Sequence, residues 1–303
     1  MNERARFRGT GVALVTPFKE DGALDLDAYA RHAERMVEGG CEVLVPCGTT
    51  GESVTMSHAE QAEVVRTAVQ VAAGRAKVMA GAGTNNTREA MKMAEAVRDA
   101  GADAVLSVSP YYNKPPQSGL VRHFTAVAEA AQIPVFVYNV PGRTSVNILP
   151  ETALRLAEVP GIAGIKEASG SLEQVATILA GRPEGFLVLS GDDELTLPML
   201  ALGADGLISV VANEAPRETS DMVRLGLDGD FARARQLHFQ LLELMRANFA
   251  ETNPVPVKLG VELVGGPRAR YRLPLVPPSE DTRRRLVRAL EAVGLLDSAR
   301  EVA

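Results

Sequence analysis

One lysine stands at the end of an apolar run and has the surroundings of a nucleophile. Residues 164–170 read GIKEASG, and residues 159–165 before them read VPGIAGI, as in a strand enclosed by the protein. Enclosure disfavours the ammonium form of Lys166, so its amine can be neutral near neutral pH and can attack a ketone to give an imine. A structural alternative is that Lys166 pairs with Glu167 or extends its amine to solvent.

The choice of basic residues along the chain supports the chemical interpretation. The sequence contains six lysines, and the other 26 of its 32 basic residues are arginines. Arginine cannot give up its proton under these conditions, whereas a desolvated lysine can. A lysine kept in an apolar strand of such a chain therefore favours a role that needs deprotonation.

Three other segments offer groups that could act on the same substrate. Tyr138 ends the apolar run PVFVY, and its phenol could pass protons to a carbonyl, although a core tyrosine is the commoner case. Arg143 follows in a Pro-Gly turn, where it could either grip a carboxylate or be solvated. The turn GTTGE presents Thr49 and Thr50 between glycines, so that N–H groups and hydroxyls can face an anion.

The spacing of apolar runs predicts an α/β fold, a (β/α)8 TIM barrel with a C-terminal helical appendage. Eight strand candidates are apolar on both faces, as parallel strands covered by helices should be, and helical patterns alternate with them. Their sequences are GVALVTPF, EVLVPCG, KVMAGAG, AVLSVSP, PVFVYNVP, IAGIKEAS, FLVLSGDD and GLISVVAN. We expect a catalytic barrel over 1–224 and a helical region over 225–303.

Catalytic groups of a barrel collect at the carboxyl ends of its strands. The predicted strand ends are rich in hydroxyl groups, glycine and tyrosine, and they lack the histidine and carboxylate clusters of a metal-dependent barrel. The sequence therefore predicts a site without a metal. None of the four histidines is assigned to catalysis.

Composition and charge exclude several classes of function. The net charge of -6 and the scattered basic residues give no reason to expect a nucleic-acid partner. No apolar run approaches the roughly 18–20 residues of a membrane span, and the charged start MNERARFRGT lacks the apolar core of a signal peptide. Cys41 and Cys47 are expected to be reduced, buried thiols, which together with the missing signal predicts a cytoplasmic protein.

Taken together, the segments resemble one known family. GTTGES, SPYYNKP, YNVPGRT, GIKEASG, SGDD and ISVVAN occur in the order found in the pyruvate-dependent class I aldolases of the dihydrodipicolinate synthase and N-acetylneuraminate lyase group. The resemblance runs from about residue 7 to residue 295 and includes ETNPVPVK near the end. It implies a Schiff base between Lys166 and pyruvate, with no cofactor, since the imine itself is the electron sink.

The resemblance also implies roles for other residues. Tyr138, Thr50 and Tyr112 would form a proton relay, with Tyr112 reaching in from a neighbouring subunit. Thr49 and Thr50 would contact the pyruvate carboxylate, and Arg143 would hold the carboxylate of the second substrate. The pocket would be lined by the backbones of Gly191 and Ile208.

The second substrate distinguishes the members of this group. Sialic-acid lyases usually carry serine at the first position of the Thr49-Thr50 pair, and Arg143 is the residue that the synthases use for the carboxylate of L-aspartate 4-semialdehyde. Both features imply condensation of pyruvate with aspartate semialdehyde. Two alternatives stay open: an aldolase for another 2-keto acid (a keto-deoxy sugar acid, hydroxy-oxoglutarate or N-acetylneuraminate), and a barrel that binds without catalysing.

The resemblance extends to assembly and regulation. A Tyr112 that crosses to another subunit implies at least a dimer, and the group is mostly a homotetramer built as a dimer of dimers. Positions that bind lysine in feedback-inhibited synthases are matched by Ser53, His58, Asn85, Glu89 and Tyr111. Gln61 stands where inhibited bacterial enzymes often have histidine, and Val54 replaces a smaller residue, so the sequence leaves inhibition open.

Overall fold

Eight parallel strands close into a barrel, which confirms the predicted fold class. The computed structural model describes residues 6–296, and each strand pairs with the next one in chain order until the eighth pairs with the first. The strands are β1 Gly9–Ala13, β2 Val43–Val45, β3 Lys77–Gly81, β4 Ala104–Val108, β5 Val135–Asn139, β6 Ile162–Glu167, β7 Leu187–Ser190 and β8 Gly206–Ser209.

Twelve α-helices are found among the described residues, and the first eight connect successive strands. They are α1 Leu26–Glu38, α2 His58–Ala72, α3 Thr87–Asp99, α4 Gln117–Ala131, α5 Pro141–Thr144, α6 Pro150–Ala157, α7 Leu172–Gly181, α8 Thr196–Ala201, α9 Pro216–Leu227, α10 Phe231–Ala247, α11 Val255–Leu263 and α12 Glu280–Val293.

Local sequence signals fix several helix ends where the patterns predicted them. Ser57 begins α2 with a capping box, in which its side chain and that of Glu60 satisfy each other's backbone N–H groups. Glycines with positive φ follow the ends of α1, α2 and α3, a conformation that favours glycine. These stops return the chain to the next strand and so set the spacing of the barrel.

The core is divided between the inside and the outside of the barrel. Inside, the side chains of alternate strand residues pack together. Phe136 of β5 contacts Phe7, which precedes β1, with the two ring centroids 5.3 Å apart. Outside, a larger cluster fills the space between the strands and the helices. The interior below the strand ends is therefore solid, which leaves the carboxyl end of the barrel as the place for a site.

The helices after β8 form their own apolar cluster against the barrel. Residues of α9, α10, α11 and α12 pack together in this cluster with Leu207 of β8. Position 224, where we expect the barrel to end, lies inside α9. Between α10 and α11 the chain returns to the carboxyl end of the barrel, where Asn253 contacts residues that follow β2 and β5.

Two smaller predictions concern the membrane and the thiols. No helix within residues 6–296 is long and apolar enough to span a bilayer. Cys41 and Cys47 are both free and buried, as expected.

Truncating an aromatic side chain inside the barrel should lower the free energy of unfolding far more than truncating one on the protein surface. Phe136 is fully buried, so Phe136→Ala should lower the free energy of unfolding by about 3–5 kcal/mol through lost contacts and an unfilled cavity. Phe239 on α10 is 63% exposed, and Phe239→Ala should change it by less than about 1 kcal/mol. Urea unfolding followed by circular dichroism measures both, and equal losses would contradict the described interior.

Candidate active site

A cavity of about 580 Å³ opens at the carboxyl ends of the strands. Residues of β1 to β6 line it, with residues that follow the strands, including those after β7 and β8. Residues of α10 and of the loop that follows α10 complete the lining. Eight of the sequence-predicted site residues share this lining: Thr49, Thr50, Ser53, Tyr111, Tyr138, Arg143, Lys166 and Gly191.

Lys166 lies at the end of β6, beside Tyr138 on β5. The two residues are partners in the β5–β6 register, and the Lys166 Nζ lies 4.3 Å from the centre of the Tyr138 ring. Only 6% of Lys166 is exposed, and this burial lowers the pKa of its amine from 10.5 to about 8. The charge of Asp193 opposes the shift and that of Arg143 assists it. At pH 7 roughly a tenth of such amines are neutral, against fewer than about one in a thousand at the ordinary pKa.

Glu167 does not pair with Lys166, which answers the structural alternative. Successive strand residues point to opposite faces, so the Glu167 carboxylate lies outside the barrel wall. Its two oxygens accept hydrogen bonds from the Asn139 amide at 3.0 Å, the Gln174 amide at 3.2 Å and the Ser169 N–H at 2.7 Å. Asn139 follows Tyr138 on β5, so this buried network ties together the two strands that present the phenol and the amine.

The hydroxyl that faces the Tyr138 phenol belongs to Thr49. Burial raises the pKa of Tyr138 to about 12, and a hydrogen bond with the Thr49 side chain works in the opposite direction. The Thr50 hydroxyl is buried and accepts a hydrogen bond from the Asn253 amide at 3.0 Å. The resemblance gave the relay position to Thr50, which stays a prediction, while Thr49 is the threonine that hydrogen-bonds with the phenol.

Arg143, Gly191 and Ile208 occupy different depths of the site. Arg143 lies on the short helix α5 at the mouth and donates to the Asn253 carbonyl at 3.2 Å. Gly191 follows β7, and a Cβ there would lie 2.8 Å from the Lys166 Cε, so glycine leaves the room that the lysine side chain fills. Ile208 is buried among the apolar side chains inside the barrel and does not line the cavity.

The two tyrosines of the SPYYNKP segment point to different places. Tyr111 lines the cavity, whereas Tyr112 is 89% exposed and lies outside it. Tyr112 also adopts a positive φ of 69°, which is uncommon for a bulky residue. The chain therefore does not bring Tyr112 to its own Lys166.

Of the residues matched to a lysine site, Ser53 and Tyr111 line the cavity, whereas His58, Asn85 and Glu89 do not. His58 Nδ1 is 3.6 Å from the Glu89 carboxylate, across the start of α2 and α3. The Asn85 carbonyl accepts a hydrogen bond from the Asn113 amide at 2.9 Å.

Sequence reasoning missed two residues of the site. Asp193 is buried, accepts from the Ser209 hydroxyl at 2.6 Å and from two backbone N–H groups, and burial raises its pKa to about 6. Asn253 contacts both Thr50 and Arg143 from the far end of the chain. The acidic pair in SGDD and the asparagine in ETNPVPVK stood in quoted segments, but nothing local indicated what they contact.

Within residues 6–296 no three or more histidine, cysteine, aspartate or glutamate side chains are grouped so that they could hold a metal ion.

Comparisons with known proteins agree with this geometry. Residues 6–293 match the Dihydrodipicolinate synthetase family. The chain is 50% identical over 295 residues to a 4-hydroxy-tetrahydrodipicolinate synthase of Koribacter versatilis, covering 97% of this chain and 98% of the relative. The crystal structure of dihydrodipicolinate synthase from Aquifex aeolicus superposes with a TM-score of 0.93 at 44% identity, covering 95% and 99% of the two chains. A chloride-inhibited dihydrodipicolinate synthase from Acinetobacter baumannii, complexed with pyruvate, gives 0.94 at 41% identity, covering 96% and 100%.

The neighbouring charges should move the titration of Lys166 in opposite directions. We expect the amine to titrate near its pKa of about 8. Asp193→Asn removes a charge that favours the ammonium and should lower that midpoint, whereas Arg143→Gln removes a charge that disfavours it and should raise the midpoint. The pH dependence of acetylation at Lys166, read by mass spectrometry, measures all three. A midpoint near 10.5 in the unmodified sequence would contradict the burial argument.

Proposed function

The chain belongs to the dihydrodipicolinate synthetase family, and from that premise we propose that it is a lyase that condenses pyruvate with L-aspartate 4-semialdehyde. The product is 4-hydroxy-tetrahydrodipicolinate, at the entry to diaminopimelate and lysine biosynthesis. The observation that carries the proposal is the enclosed Lys166 amine, with its pKa lowered to about 8, beside a phenol in a cavity of substrate size.

The chemistry begins with attack of the neutral Lys166 amine on C2 of pyruvate. Loss of water from the adduct leaves an imine, and loss of a proton from C3 then gives an enamine. The enamine C3 forms a bond to the aldehyde carbon of the second substrate. The amino group of that substrate attacks C2 in turn, which closes the ring and releases Lys166 as the free amine.

Proton transfers in these steps are assigned to Tyr138 and Thr49. The phenol lies against the Lys166 amine and hydrogen-bonds with Thr49, so it is placed to deliver a proton to the departing water and to recover one afterwards. Thr49 takes the relay place that the resemblance gave to Thr50. We assign Tyr112 to the site of a neighbouring subunit, because its exposed side chain lies outside its own cavity.

Two carboxylates must be held while the carbon–carbon bond forms. The GTTGE turn offers its N–H groups and the Thr49 hydroxyl to the pyruvate carboxylate, and Thr50 stabilises that turn through Asn253. Arg143 at the mouth is the cation for the second carboxylate, and a guanidinium suits a two-oxygen contact. The Gly191 backbone borders the pyruvate, while Ile208 supports the site from the packed interior.

We further propose a cytoplasmic homotetramer, arranged as a dimer of dimers. A site that takes Tyr112 from a second copy is incomplete in a single chain. Val54 supports such an interface, because it lines the cavity and yet is 84% exposed in a single chain. Burial of an apolar residue of this kind is a usual driving force for association.

Turnover with the two substrates is the direct test. Purified protein given pyruvate and aspartate semialdehyde, coupled to dihydrodipicolinate reductase, should consume NADPH. Lys166→Ala should abolish this turnover and the trapping of pyruvate on the chain by borohydride, because no other amine lies at that position.

Other outcomes of that experiment are equally definite. Trapping without turnover would contradict the assigned acceptor and point to an aldolase for another 2-keto acid. Trapping that survives in Lys166→Ala would place the nucleophile elsewhere.

Feedback by lysine is proposed at the edge of the cavity. The facing His58 and Glu89, with Ser53, Asn85 and Tyr111 nearby, offer a carboxylate and polar groups to an amino acid. Calorimetric titration should show lysine binding, and Glu89→Gln should weaken it by removing the charge that pairs with the ammonium groups of lysine. No heat at millimolar lysine would contradict this assignment.

A further inference from the structure

A second buried lysine lies far from the first in sequence. Of the six lysines, only Lys166 and Lys258 are buried, and the Lys258 side chain is 2% exposed. Lys258 is thus enclosed as Lys166 is, and it ends the segment ETNPVPVK near the start of α11. The proposed chemistry gives it no role.

Lys258 is held by one carboxylate, one carbonyl and two rings. Its ammonium donates to the Glu52 carboxylate and to the Arg270 carbonyl. It also lies 4.4 Å from the centre of the Phe18 ring and 5.3 Å from that of Tyr271. The second Glu52 oxygen has no hydrogen-bond partner among the described residues, so Lys258 is what compensates this fully buried charge.

Glu52 closes the turn that carries the two threonines of the site. Its N–H donates to the Thr49 carbonyl at 3.1 Å, and its own φ is +54°, an unfavourable conformation for a residue other than glycine. A contact outside the turn has to hold such a conformation in place. Lys258 supplies it, since the Glu52 side chain makes no other ion pair within residues 6–296.

Two further residues of the C-terminal region contact this turn or the residues after it. Asn253 donates to the Thr50 hydroxyl, and Arg272 donates to the Thr55 carbonyl at 2.8 Å. The C-terminal region therefore contacts the turn at Thr50 and Glu52, and the residues just after it at Thr55. An apolar pair of similar volume would stabilise such a place as well as a buried ion pair does, so stability alone does not account for the two charges.

We propose that Lys258 is a positioning residue, whose ion pair with Glu52 sets the geometry of the GTTGE turn and so aims Thr49 at Tyr138. This inference rests on the proposed function, because it takes the Tyr138–Thr49 pair to be the proton relay. It assigns to the C-terminal region a part in catalysis without contact with the substrate.

The test separates positioning from stability with four variants. Lys258→Met and Glu52→Met each leave one buried charge without its partner and should lower the melting temperature markedly. The double variant removes both charges and should recover most of that loss. Lys77→Met is the matched control, since Lys77 also pairs with a carboxylate, that of Asp103, but at the opposite end of the barrel.

The readout uses pyruvate alone, so that it does not depend on the second substrate. Exchange of the pyruvate C3 hydrogens for deuterium, followed by NMR, requires the imine and the relay. In the double variant we expect exchange to slow by about 100-fold, the cost of displacing a catalytic group by about 1 Å, while borohydride trapping on Lys166 still reaches completion. Lys77→Met should exchange within about twofold of the unmodified chain, as expected for a change away from the site.

Two results would overturn the proposal. One is a double variant that exchanges nearly as fast as the unmodified chain. The other is a double variant that stays as unstable as the single ones, because the pair would then serve the fold. An unmodified chain that exchanges pyruvate hydrogens but does not consume aspartate semialdehyde would refute the proposed acceptor and leave this inference standing.

Discussion

Removing the Lys166 amine from water destabilises its charged form, and the neighbouring residues of the site determine how large this effect is. A lysine in a closed barrel loses hydration on every side, which lowers its pKa to about 8. Gly191 makes the room for its side chain, and the buried Asp193 limits how far the pKa falls. A sufficient fraction of the amine is therefore neutral to attack a ketone, and the nitrogen is basic enough to be protonated when ring closure releases it.

The fold and the nucleophile could be predicted because both depend on local patterns. Parallel strands covered on both faces appear in a sequence as short apolar runs, and all eight strands were predicted. The residues at which the strands end were not predicted. GVALVTPF continues five residues past the end of β1 at Ala13, and GLISVVAN ends in a short 3-10 turn at Val211–Asn213. Most of the extra residues are apolar because the chain stays buried after the strand ends, and hydrophobicity does not distinguish such a buried segment from a strand.

Contacts between distant segments could not be predicted in the same way. Thr49 and Thr50 are identical in type, so only the direction of the turn tells which hydroxyl meets the phenol and which meets Asn253. The tail was expected to be an appendage, since helical periodicity reports only which face is buried. Its contacts with the GTTGE turn depend on Asn253, Lys258 and Arg272, single residues whose partners lie some 200 positions earlier.

The location of Arg143 has a consequence for how such a barrel can change its substrate. The amine and the phenol are fixed by paired strands and by the network behind them, whereas Arg143 lies on the four-residue helix α5, held to the rest by one carbonyl. Selection could therefore redesign the acceptor half of the pocket by altering a short segment, while the half that forms the enamine stays untouched. The architecture separates the step that makes the carbon nucleophile from the choice of what that nucleophile attacks.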